Sequence, residues 1–162
     1  MASGKDEIIK RFSLEPLPGE GGYYKETYRS GKDIIIRGKR RPLCTSILFL
    51  ISEGSFSRLH RLPFDEIYHF YMGDSVKMLL LFPDGNGKRI ILGGGTRQGE
   101  LPQFTVPAGV WQGTRMKKGG KWALLGTTMS PGFSFNDLIL GEKAFLGKKY
   151  PSFRNDISKL TP

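Results

Sequence analysis

Between residues 23 and 140 the apolar positions fall in eleven short runs of seven to nine residues. They read "YYKETYRS", "DIIIRGK", "TSILFLIS", "SFSRLHRL", "EIYHFYMG", "KMLLLFP", "KRIILGG", "QFTVPAG", "VWQGTRM", "KWALLGTTM" and "FNDLILG". Each run is rich in β-branched or aromatic residues and is broken by Gly, Pro, Asn or Asp, which predicts strand after strand. "PDGNGK" (83–88) has the Asp-Gly and Asn-Gly steps of a hairpin turn. A helical period is expected only at the two ends, over about 5–12 and in the tail "EKAFLGKKYPSFRNDISKL", which should pack outside the strands. "SLEPLPGEGG" is a turn-rich connector. With 22 glycines and 10 prolines at the joints, the pattern predicts an all-β barrel or sandwich with short flanking N- and C-terminal helices. One domain is expected over 1–162, with the barrel at about 22–140.

Composition narrows this little. A length of 162 residues suits a single core. The single cysteine, Cys44, has no partner for an internal disulfide, and its apolar setting predicts a buried, inert thiol in a reducing compartment. No run approaches the roughly 20 apolar residues of a membrane span, and "MASGKDEIIKRF" lacks a secretory core, so a cytoplasmic protein with no membrane partner is expected. The formal charge is +10, clustered at 37–41, 115–121 and 147–149. Such a surplus suits nucleic acid or phosphate, but no nucleic-acid motif accompanies it, and a solvated basic surface is the preferred reading. "GNG" and "GGGTRQG" lack the strand, helix and Gly-Lys-Ser/Thr ending of a phosphate loop, and no Gly-x-Ser-x-Gly elbow is present.

The candidate chemistry sits in "GSFSRLHRLPFDEIYHFYMG" (54–73), which holds both histidines, His60 and His69, around Asp65 and Glu66. Strict alternation puts Phe56, Arg58, His60 and Leu62 on one face. After the Leu-Pro-Phe-Asp link, Glu66, Tyr68 and Phe70 share a face, with Ile67, His69 and Tyr71 opposite. Both faces mix apolar and polar groups, as a barrel wall around a cavity would.

Gly54, His60, Glu66 and Gly73 stand at the spacing of the first cupin motif, with Leu62 where a second histidine belongs. "PAGVWQGTRM" resembles the second motif, with Gln112 in place of histidine and Met116 in place of asparagine. The longer strings "LEPLPGEGGYYKETYRS", "GSFSRLHRLPFDEIYHFYMGD", "VPAGVWQGT" and "SPGFSFND" are similar to one small cupin subfamily of unassigned function, with Tyr68 for a tryptophan and Tyr71 for a histidine. The resemblance runs from about Leu14 to Leu140. It implies a cupin-type jelly-roll β-barrel, usually a homodimer, with a cavity sized for a small molecule.

It also implies which residues face that cavity. A metal-bearing cupin would use His60, Glu66 and Gln112, with His69 reaching them only through a bulge. An amide oxygen is a poor ligand for zinc, nickel or iron. No required cofactor is therefore expected, and an adventitious divalent ion is the more natural occupant. Without metal, the expected catalytic set is His60 as base, Glu66 as orienting group or acid, and Tyr68 as phenol donor. Arg58 would clamp an anion, with Phe56, Gln112 and Phe70 completing a ligand pocket. For His69 a structural role is expected. Three readings stay open: a small-ligand cupin taking an anionic or sugar-like molecule, with isomerase or epimerase activity on it; a metal-dependent enzyme; or a non-enzymatic binding protein. Leu59, Ile67 and Tyr71 form an expected outward stripe for a homodimer.

Overall fold

The computed structural model describes residues 4–95 and 98–162, so Thr96 and Arg97 of the "GGGTRQG" stretch lie outside the described residues. The chain opens with α1 (Gly4–Phe12), then β1 (Glu15–Pro16), β2 (Tyr23–Arg29), β3 (Asp33–Ile36), β4 (Lys39–Pro42), β5 (Thr45–Ser52) and β6 (Phe56–Arg61). There follow β7 (Glu66–Gly73), β8 (Val76–Leu81), β9 (Gly87–Leu92), β10 (Gln103–Val106), β11 (Trp111–Met116), β12 (Trp122–Met129) and β13 (Ile139–Leu140). The chain ends with α2 (Lys143–Lys149) and α3 (Arg154–Ser158).

Two antiparallel sheets face each other in a jelly roll, one ordered β1-β2-β5-β12-β7-β10 and the other β13-β6-β11-β8-β9. Their inner faces meet in a hydrocarbon core that includes Phe49, Ile51, Met78, Leu80, Leu92 and Leu125. The alternation that made each run legible is what puts these residues on one side. As expected, the terminal helices pack outside. On the outer face of the first sheet, Ile8, Ile9 and Phe12 of α1 cover Leu50 and Leu124. On the second, Leu146, Tyr150, Ile157 and Leu160 of the tail cover Leu59, Leu79, Leu81 and Trp111. The outward stripe is therefore split: Leu59 is fully buried under the chain's own tail, while Tyr71 is half exposed.

Two expectations need local correction. "DIIIRGK" is no single strand, because Arg37 and Gly38 both take positive φ (52° and 72°) and fold 33–42 into the β3–β4 hairpin. Positive φ at both central residues is the two-residue turn that matches strand twist, and here arginine occupies a place usually held by Asn or Gly. Cys44 is half-buried rather than buried.

The tail is structural: Leu146→Ala should cost about 2–5 kcal/mol, since it empties a fully buried position in the layer over Leu59. A urea midpoint unchanged from that of the parent chain would show that the tail carries no such load.

Candidate functional site

At one end of the interior the hydrocarbon gives way to a cavity of about 160 Å³. Its polar wall includes Glu20, Glu66, Tyr68 and Thr127, and its mouth carries Glu26 and Arg29. Three pieces of backbone place these groups. The first is β7, whose alternation turns Glu66 and Tyr68 inward and His69 outward, as expected. His69 Nε2 contacts Thr128 Oγ1 at 3.3 Å, and Gln103 contacts its Nδ1 at 3.1 Å. It thus serves the outer surface. Asp65, next to Glu66, accepts a hydrogen bond from the Ala108 backbone N–H (2.8 Å) and ties the 107–110 turn to the strand.

The second piece is β6, where simple alternation fails. Against β11, Gln112 pairs with His60 and Thr114 with Ser57, so three steps on β6 match two on β11. This bulge turns both Ser57 and His60 inward and Leu59 outward. The third piece is the 19–22 connector. Gly21 (φ 100°) lies so close to β6 that a Cβ there would sit 2.4 Å from the Phe56 carbonyl oxygen. The Arg58 N–H donates to the Glu20 carbonyl at 2.8 Å. That close approach, open only to glycine, carries Glu20 into the barrel.

The groups converge. Gln112 Nε2 donates to Glu66 Oε2 at 2.7 Å, and Thr127 and Tyr68 also make polar contact with the Glu66 carboxyl. Ser57 Oγ donates to Glu20 Oε1 at 2.7 Å, and His60 Nε2 stands 3.9 Å from the same oxygen. His60 Nδ1 lies 2.7 Å from the Arg58 carbonyl oxygen. A carbonyl only accepts, so Nδ1 carries the hydrogen, and in the neutral ring Nε2 presents a lone pair toward Glu20. His60 and Gln112 are both about 1% exposed, behind the carboxyls that face the cavity.

Burial pushes the Glu66 carboxyl above its ordinary value; His60 opposes this shift and the neighbouring Glu20 charge adds to it. Burial, with Glu66 beside it, holds the Tyr68 phenol well above the ordinary phenol range. Tyr68 therefore keeps its proton as a fixed donor.

Several expected site residues fall elsewhere. Arg58, the expected anion clamp, sits in the bulge and donates to the Gly19 carbonyl at 3.3 Å, outside the cavity. Phe56 packs with the outer layer under the tail. Phe70 faces inward but joins the hydrocarbon core rather than the cavity wall, as does Val110. Trp111 is in the outer layer, with the Arg61 guanidinium 5.0 Å from its ring. Leu62 does line the cavity. Glu20 was missed; its one signal was to be the lone acid in the glycine cluster "GEGG".

A model of the Cupin superfamily (DUF985) matches residues 6–141. The chain belongs to this family. An uncharacterised protein of Saccharomyces cerevisiae is 27% identical over 133 residues, 73% of this chain and 66% of that protein, so the match spans just under two thirds of its curated relative. Among solved structures, a hypothetical protein from Leishmania major superposes with a TM-score of 0.91 at 31% identity, covering 98% of this chain and 99% of that one. A Shewanella oneidensis protein gives 0.88 at 36% identity, covering 100% and 99%. Bacillus subtilis oxalate decarboxylase, described with Mn(II) centres, gives only 0.55 at 18% identity over 92% of this chain and 38% of that one, a likeness of fold alone.

The residues present do not fit the metal that some cupins hold. Gln112 spends its N–H on Glu66, and the oxygen it has left is an amide oxygen, a poor ligand for a first-row metal. Leu62 puts hydrocarbon where the first motif has its second histidine, and among the described residues no three His, Cys, Asp or Glu side chains are grouped to hold an ion.

The raised Glu66 carboxyl makes stability depend on pH. The folded state holds this proton more tightly than the unfolded chain. The contribution is complete below the unfolded value, near 4.5, and is lost as pH rises through the raised folded value. Glu66→Gln cannot ionise, so its stability relative to the parent should climb with pH across that window and then level off. Urea unfolding at a series of pH values reads this directly, and a relative stability that falls with pH contradicts it.

Proposed function

We propose that this cupin domain binds a small sugar-like or hydroxycarbonyl molecule in its cavity and moves a proton on it without a metal. The observation that carries the reading is the Glu66 carboxyl: buried, biased toward its protonated form, and facing an internal space beside a second carboxylate, Glu20. A buried acid that favours its proton, set beside a second carboxyl group, is the usual makings of an acid/base pair. Protonated Glu66 donates to a carbonyl oxygen while Glu20 takes the proton from the adjacent carbon. Protonated Glu20 then returns its proton to the neighbouring enediol carbon while the Glu66 carboxylate takes the proton of the other hydroxyl, which gives the isomer and restores both carboxyls. His60 and Gln112 then act as positioning residues, His60 behind Glu20 and Gln112 behind Glu66.

Size and charge support part of the expected ligand class. A space of about 160 Å³ is close to one that accepts benzene, so a ring or short chain fits and a large conjugate does not fit within it. The anionic option loses its support once Arg58 is placed outside the cavity.

Deuterium incorporation from heavy water into aldoses, ketoses and hydroxy acids, followed by NMR, tests the reaction. For a turned-over substrate, Glu66→Gln and Glu20→Gln should each slow exchange by about 100-fold or more, and dialysis against a chelator should leave the rate unchanged. Exchange retained in Glu66→Gln rules out its role as the acid. Saturable binding with no exchange leaves a binding protein.

A further inference from the structure

Proton transfer between Glu20 and Glu66 makes no use of the cations gathered at the cavity mouth. Beside that mouth lies a second, open space of about 370 Å³, lined by Arg29, Arg40, Arg41 and the 133–136 segment. It shares Arg29, Phe133 and Phe135 with the cavity, so the two spaces adjoin as vestibule and chamber. Three guanidiniums line the vestibule. Their partner carboxylates, on Glu26, Asp33 and Asp137, do not.

Both walls of the vestibule are held in place. The positive-φ turn at Arg37 and Gly38 folds β4 back along β3 and brings the basic 37–41 cluster into one hairpin. Buried Arg41 fixes β4, donating through Nε and Nη2 to the two Asp137 oxygens and through Nη1 to the Arg40 carbonyl. Opposite, the Gly132 N–H donates to the Pro42 carbonyl at 2.7 Å and the Phe133 N–H to Thr45 Oγ1 at 2.9 Å.

Donors are left over. A guanidinium has five N–H groups. Arg40 uses only Nε, on Asp33, and Arg29 uses Nε and Nη2, on Glu26 and the Phe133 carbonyl. Among the described residues, neither Nη atom of Arg40 nor Nη1 of Arg29 has a hydrogen-bond partner. The Arg40–Asp33 pair is also exposed, and a pair of that kind is weak enough to yield to a competing anion. Residues 25–41 carry seven lysines and arginines against two acids, Glu26 and Asp33. Asp137 offsets one more charge, and the surplus still draws anions to the mouth.

The anion that suits this wall is a phosphomonoester. Its three terminal oxygens and its charge of up to two can meet Arg29 and Arg40 together, where a carboxylate matches a single guanidinium fork. Inside the chamber the same group would stand beside the Glu20 carboxylate. Resting on the reading of the cavity as the site of a hydroxycarbonyl chain, we infer that the ligand is a sugar phosphate, with its carbons beside Glu20 and Glu66 and its phosphate in the vestibule on Arg29 and Arg40. The anionic class that lost its support with Arg58 thus regains it at a different place.

The test compares D-glyceraldehyde, D-ribose and D-glucose with their terminal phosphomonoesters by ligand-observed NMR at low ionic strength, with inorganic phosphate as a further probe. Deuterium exchange from heavy water is read on the same samples. The chains are the parent, Arg40→Gln and Lys118→Gln, the last removing a charge from a separate basic groove. The Arg40 side chain is 80% exposed, so its loss removes little packing, and thermal unfolding checks that the variant folds. At least one phosphorylated sugar should bind about tenfold or more tightly than its unphosphorylated partner. That advantage should fall about fivefold or more in Arg40→Gln and persist in Lys118→Gln. Saturable binding with no gain from the phosphate overturns the inference and leaves the ligand cavity standing. An advantage unchanged in Arg40→Gln, or lost equally in Lys118→Gln, overturns the vestibule as its place. Inorganic phosphate bound as tightly as the sugar phosphates overturns it too, since the sugar then contributes nothing. A phosphate advantage that depends on Arg40, without exchange in any sample, upholds the inference and removes the proton transfer. An absence of binding by every probe overturns both.

Discussion

A carboxyl taken out of water governs the arrangement of this barrel's polar end. Glu66 is buried against Gln112, Thr127 and Tyr68 rather than against a lysine or arginine, and an ionised carboxylate in that setting is costly. The neutral acid is the form that burial favours, and the neighbours are consistent with it. Gln112 donates to Oε2, which places the acid's own proton most naturally on the other oxygen. Tyr68, with its proton held firmly, and Thr127 surround the group with hydroxyls rather than charge. The interior can then be hydrocarbon at one end and polar at the other without an unpaired ion in the middle.

That arrangement also explains how a short glycine-rich connector comes to matter. Burying Glu66 alone makes a polar pocket; adding Glu20 makes an asymmetric pair. Glu20 arrives on a segment pressed against β6 at Gly21, and its carboxylate is met by Ser57 and faced by His60. Ser57 and His60 point the same way only because of the bulge. One irregularity in one strand thus assembles the second half of the site.

The architecture was legible because it depends on runs: short stretches rich in β-branched and aromatic residues, punctuated by Gly, Pro, Asn and Asp, and helical spacing only at the ends. The inward direction of Glu66 and Tyr68 was legible for the same reason, since β7 alternates regularly through them. Arg58 and Phe56 were misplaced because the bulge in β6 breaks the count, and no composition signal marks it; "SFSRLHR" reads as an ordinary strand. The β3–β4 turn was hidden by arginine in a positive-φ place. Glu20 was hidden differently, since its position depends on a contact between segments nearly forty residues apart, which no local pattern encodes.

The two departures from the metal-binding pattern act together. Leu62 alone, in place of a histidine, would leave His60 and Glu66 free to hold an ion with help from solvent. Gln112 alone, in place of the later histidine, would still offer an amide oxygen. With both present, Leu62 makes its stretch of wall apolar, and Gln112 hydrogen-bonds the carboxyl at a donor distance of 2.7 Å. The fold shared with oxalate decarboxylase therefore does not carry that enzyme's chemistry across. The same inward positions support a different electrostatic problem: stabilising a proton on a buried acid rather than a cation between ligands.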